Sequence, residues 1–77
     1  MNSEQEILKT IGREIQKIRD EKGLSQMDVA YNSEMSASHL SKIENGHMAP
    51  GILVLIRIAK SMGVKLSALL KELDKIT

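Results

Sequence analysis

Apolar residues recur along this chain at helical rather than strand spacing. Ile7, Leu8, Ile11, Ile15 and Ile18 follow one another every three or four positions and draw one stripe. That stripe predicts a first helix from about Glu4 to Lys22. Ser3 is placed to cap it, Glu6 to close a capping box, and Gly23 to end it in the left-handed conformation. A second, short helix is expected from Ser25, its N-cap, to about Tyr31 or Asn32, with Met27, Val29 and Ala30 turned inward. The polar run Asn32-Ser33-Glu34 breaks the pattern. A third helix follows the N-cap Ser36 and stops at Gly46, burying Leu40 and Ile43. Pro50 suits the first turn of a fourth helix, which ends at Gly63. On that helix Ile52, Leu55, Ile56, Ala59 and Met62 form the inward face. A fifth runs from about Leu66 to Lys75, with Leu66, Leu69, Leu70, Leu73 and Ile76 in helical register. The expected fold is therefore all-α, five helices, one domain over 1–77.

Composition narrows the class more than the function. The chain has 77 residues, no cysteine, one tyrosine and no other aromatic residue. Disulfides and thiolate metal sites are excluded. The N-terminal MNSEQE is polar and acidic, unlike a secretory signal. The longest apolar run, Ile52 to Ile56, is too short to cross a bilayer. A soluble, cytoplasmic protein is expected. Eleven Lys and Arg against ten Asp and Glu leave a net charge of +1, which by itself gives little sign of a nucleic-acid partner.

Residue order says more. A short helix, a tight turn and another short helix occupy Gln26 to Gly46. Leu24-Ser25-Gln26 opens this unit, Ala30 lies where its helices cross, and Val29, Met35, Leu40 and Ile43 fill the wedge between them. Pro50 and Gly63-Val64 frame the helix that follows. In these features, over about residues 11–70, the chain resembles the phage-repressor and Cro-like (XRE) family of helix-turn-helix proteins. The resemblance implies a five-helix, lambda-repressor-like domain whose third helix enters the major groove of duplex DNA. It implies that Ala37, Ser38, Ser41 and Lys42 face base edges, with Ser36 at the leading end of the same helix. Gln26 would meet a phosphate, and His39 and Asn45 would bond the DNA backbone. Lys42 is the strong reader of the set and prefers guanine O6 and N7. Arg19 and Glu44 match an Arg and a Glu that pair inside family members, tying the end of helix one to the end of helix three.

The chain departs from the family pattern in places. Glu34 stands where the family prefers a turn glycine. Ala49 and Lys65 stand where capping Asn and Ser are frequent. Lys42 is the only Lys or Arg between Gly23 and Arg57.

Each candidate also has a plainer explanation. Serines and Gln26 are common at helix starts, methionines fill cores, and Arg19 with Glu44 is compatible with a solvated pair. His39 and His47 lack metal-ligand spacing and a nucleophile partner. No catalytic residue, cofactor, metal or small-molecule ligand is expected, and so no enzyme. In helix four, Leu53 and Val54 fall outside the inward face, which predicts burial on a second side by another subunit. Leu73 and Ile76 are assigned to the same homodimer interface. Two rivals stand beside a DNA-binding repressor on a palindromic operator. One is a protein-interaction module such as an antitoxin or an antagonist of another regulator. The other is a nonspecific, nucleoid-like binder, against which the low charge argues.

Overall fold

The N-terminal apolar stripe winds into α1, Ser3–Glu21. In this computed structural model, which describes residues 3–77, Ser3 is itself helical and does not cap from outside. Three more helices follow, α2 at Gln26–Asn32, α3 at Ala37–Glu44 and α4 at Ile52–Met62. A short α5, Leu66–Leu70, runs into a 3-10 turn over Lys71–Lys75, so the single long fifth helix is divided. Ile11, Ile15 and Ile18 of α1 meet Val29 and Ala30 of α2, Leu40 and Ile43 of α3, Leu55, Ile58, Ala59 and Met62 of α4, and Leu69 of α5 in one buried core.

Four helices end with the same hydrogen-bond pair. After α1, Gly23 N–H donates to Asp20 and Leu24 N–H to Arg19. After α3, Gly46 bonds Ile43 and His47 bonds Lys42. After α4, Gly63 bonds Lys60 and Val64 bonds Ala59. The residue that turns the chain has positive φ each time, as this type of C-terminus requires. After α2 the same bonds run from Glu34 to Tyr31 and from Met35 to Ala30, so Glu34 takes the left-handed position, at φ 61°. An L-residue there costs about 1–2 kcal/mol, and its ion pair with Arg57 is long, at 3.8 Å, and exposed. Glu34→Gly is expected to raise stability by about 0.5–1 kcal/mol after the extra chain entropy of glycine is subtracted. Urea unfolding checks it, and an unchanged midpoint would show that the Arg57 pair compensates.

Several inward assignments move. Met27 is 73% exposed. The inner face of α2 is Val29 and Ala30, continued by its C-cap, the supposed breaker Ser33, whose hydroxyl donates to Ser61 Oγ at 3.2 Å. Pro50 precedes the helix, because Gly51 is the N-cap of α4. Ile52, assigned to the core, is 56% exposed, and Ile58 takes full burial instead. The turn of α4 thus begins later than Pro50 implied, and its buried face is Leu55, Ile58, Ala59 and Met62. Ala49 is not a cap at all, and Lys65 caps α5 without a side-chain bond. The 3-10 turn packs on α1, with Lys71 Nζ 3.8 Å from the buried Glu14 carboxylate.

Candidate nucleic-acid interface

Two N-caps and one ion-pair network fix the attitude of α3. Ser25 Oγ accepts the Asp28 N–H at 3.0 Å, and Ser36 Oγ accepts the His39 N–H at 3.0 Å. Each satisfies an orphan donor of its helix's first turn. α3 then crosses α1 at Gly12, and the absence of a side chain there lets the carbonyls of Ile43 and Glu44 approach the α1 backbone.

The structure brings Arg19 and Glu44 together. Arg19 Nε donates to Glu44 Oε2 at 2.9 Å and Nη2 to Oε1 at 3.2 Å, a two-pronged contact. Nη1 also donates to the Leu24 carbonyl at 3.1 Å. The Glu44 side chain is 2% exposed and that of Arg19 13%. The Glu44 hydrogen bond holds the Arg19 guanidinium above the ordinary arginine range, against the opposing effect of burial. A third group joins the pair. Gln26 Nε2 donates to Glu44 Oε1 at 3.1 Å. The end of α1, the start of α2 and the end of α3 therefore meet at one buried carboxylate.

With its inner face of Leu40, Ile43 and Glu44 locked in place, α3 turns the rest outward. Ser36, Ser38, Lys42 and Asn45 are exposed, and Ala37, His39 and Ser41 are half-buried. Asn45 Nδ2 donates to the Ser41 carbonyl at 2.9 Å and reaches Ser41 Oγ at 3.3 Å. Gln26 is half-buried, one of its amide hydrogens already committed. The outer face presents hydroxyls, an amide, an imidazole and one ammonium, with no large apolar side chain. It is a rod able to donate and accept along a polar groove.

The model of the HTH_3 family, described as helix-turn-helix, matches residues 15–69. The chain belongs to the HTH_3 helix-turn-helix family. HTH_3 proteins of this XRE type are DNA-binding transcriptional regulators, not enzymes. This HTH_3 chain is 33% identical over 63 residues to the immunity repressor protein of Bacillus phage phi105, matching 82% of the chain and 44% of the phage protein. It thus spans less than half the length of that relative. It is also 33% identical over 67 residues to the uncharacterized HTH-type transcriptional regulator y4dJ of Sinorhizobium fredii, 87% of each being covered. Among solved structures it is similar to the wild-type restriction-modification controller protein C.Esp1396I, with 33% identity, a TM-score of 0.79, and 90% of this chain and 91% of that one covered. The clp gene regulator ClgR from C. glutamicum shares the fold, with 21% identity, a TM-score of 0.85 and 92% of each chain covered.

The remaining expected residues lie apart from the outer face of α3. Leu53 on α4 is 66% exposed and Ile76, after the 3-10 turn, 38%, while Val54 and Leu73 are partly buried within this one chain. Sequence reading missed Gly12, a lone glycine within the α1 stripe with no local signal of the α3 backbone lying against it. It also missed the Gln26–Glu44 bond, for which no local pattern exists.

Proposed function

We propose that this regulator represses transcription by binding a palindromic duplex operator as a homodimer in the cytoplasm. One observation carries the reading: α3 is anchored on its inner side by a buried ion-pair network and leaves its N-terminal end and outer face free. In a dimer the two copies of α3 stand about 34 Å apart and meet successive major grooves. Ser38, Ser41 and Lys42 read base edges, with Ala37 offering a methyl contact. Ser36, His39, Asn45 and Gln26 hold the backbone. Ser hydroxyls accept or donate indifferently, so Lys42 supplies most of the discrimination. The phage immunity repressor among its relatives supports repression. The exposed Leu53 on α4 supports a second copy as its cover, and Val54, Leu73 and Ile76 are assigned to the same interface. Among the described residues no helix is long and apolar enough to cross a membrane.

Selection of bound duplexes from a random library at near-physiological salt tests the reading. It should recover a palindrome. Lys42→Ala should weaken binding to that site about ten- to hundredfold, more than to unrelated DNA. Equal losses on both would reduce Lys42 to a phosphate contact. Leu53→Asp should give monomers by light scattering, and an unchanged mass would remove Leu53 from the interface. Failure to enrich any duplex would move the function toward pairing with another protein.

A further inference from the structure

Glu44 does more than neutralise Arg19. A carboxylate is an acceptor, so the bond at 3.1 Å turns the nitrogen end of the Gln26 carboxamide, not its oxygen, toward Glu44. A free glutamine amide has two flips of nearly equal energy, one of which would aim a carbonyl lone pair at any approaching phosphate oxygen. The Glu44 side chain, 2% exposed and pinned by two Arg19 bonds, removes that choice before DNA arrives.

We infer that Glu44 is a positioning residue for DNA binding: it fixes the flip of the Gln26 amide, so that the second N–H on Nε2 is the group offered to a backbone phosphate. The inference rests on the proposed DNA-binding function and deepens it. Three consequences follow from the geometry. Gln26 reaches the phosphate with its side chain already ordered, so less rotamer entropy is lost on binding. The Glu44 charge polarises the amide, and Arg19 keeps that charge from repelling the phosphate. The contact is also tied to the angle of α3, because the same carboxylate belongs to that helix. A shift of α3 then alters the phosphate clamp and the base contacts together.

The experiment uses the full chain and a duplex recovered by selection, with single methylphosphonates placed in turn at each backbone position. Wild type should lose affinity at one position per half-site through Gln26. Gln26→Ala should bind the unmodified duplex about tenfold more weakly and lose the sensitivity at that position. Glu44→Asp keeps a carboxylate near Arg19 but draws it back from Gln26. It should lose the sensitivity at that position while keeping sensitivity at the other contacted phosphates. Sensitivity retained at the Gln26 position in Glu44→Asp, or lost at every phosphate alike, overturns the inference. Normal affinity in Gln26→Ala overturns it too while leaving the DNA-binding function standing, whereas failure of wild type to select any duplex removes both. The unaltered protein provides a check independent of variant folding. In its free state one Gln26 side-chain amide proton should exchange with solvent more slowly than those of the exposed Gln16 by NMR. Equal exchange rates overturn the fixed flip.

Discussion

Gly12→Ala is expected to lower the melting temperature of this protein by about 5–20 °C. On propensity alone the change should help, since alanine favours a helix interior over glycine by about 1 kcal/mol. The tertiary contact reverses the sign. A Cβ on Gly12 would lie 2.3 Å from the Glu44 carbonyl oxygen and 2.6 Å from that of Ile43. Both are backbone atoms in the last turn of α3, with no rotamer through which to move aside. Relief requires α1 and α3 to separate, which opens the core at Ile15, Leu40 and Ile43. Overpacking of this kind costs about 1–3 kcal/mol or more, and each kcal/mol is worth about 4–8 °C in a domain of this size. Thermal unfolding followed by circular dichroism measures it. A melting temperature at or above wild type would show that the two helices slide without penalty, and would remove Gly12 from the determinants of the α3 angle.

The second large effect belongs to Glu44. Glu44→Ala leaves the Arg19 guanidinium, 13% exposed, without its carboxylate. Removing one member of a buried pair costs about 3–5 kcal/mol, most of it the penalty of the stranded charge. Replacing both, as Arg19→Met with Glu44→Leu, removes that penalty, and the double variant should recover to within about 1–2 kcal/mol of wild type. If the single and double variants are equally unstable in urea, desolvation of Arg19 is not the source. Alkaline pH is no substitute for the mutation. The Arg19 pKa is raised on folding, so its stabilisation is fully present below the unfolded value and is lost only as pH rises through the folded one. That window lies far above neutral pH. Between pH 7 and 10 the Arg19 contribution should stay flat.

These two sites differ in how far the sequence disclosed them. Arg19 and Glu44 were visible as a resemblance, since their types and positions matched a known pair. The third member, Gln26, was legible as a polar residue at a helix start and gave no hint that its amide faces a buried carboxylate. Gly12 was silent, because a lone glycine within a helical stripe carries no local instruction. Glu34 lies between these cases. Its departure from glycine was visible in the sequence, and the left-handed backbone there agrees with the turn that α2 must make.

The chain order alone determined the starts of α2 and α3 and the ends of α1, α3 and α4. Ser25 and Ser36 satisfy N–H groups three residues on, and Gly23, Gly46 and Gly63 reverse the chain within one turn, so those boundaries need no distant partner. It also determined the inward face of α1, where Ile11, Ile15 and Ile18 repeat over several turns and leave no doubt about phase. The fold decided the phase of the short elements. Seven residues of α2 make fewer than two turns, so its own pattern does not decide whether Met27 or the C-cap Ser33 turns inward. Contact with α4 through Ser61 settles it for Ser33. The same holds for Ile58 over Ile52, for the 3-10 ending after Leu70, and for the closeness of α1 and α3 at Gly12. Periodicity and capping act across a few residues, whereas rotation and separation of helices are fixed by side chains far apart in the chain.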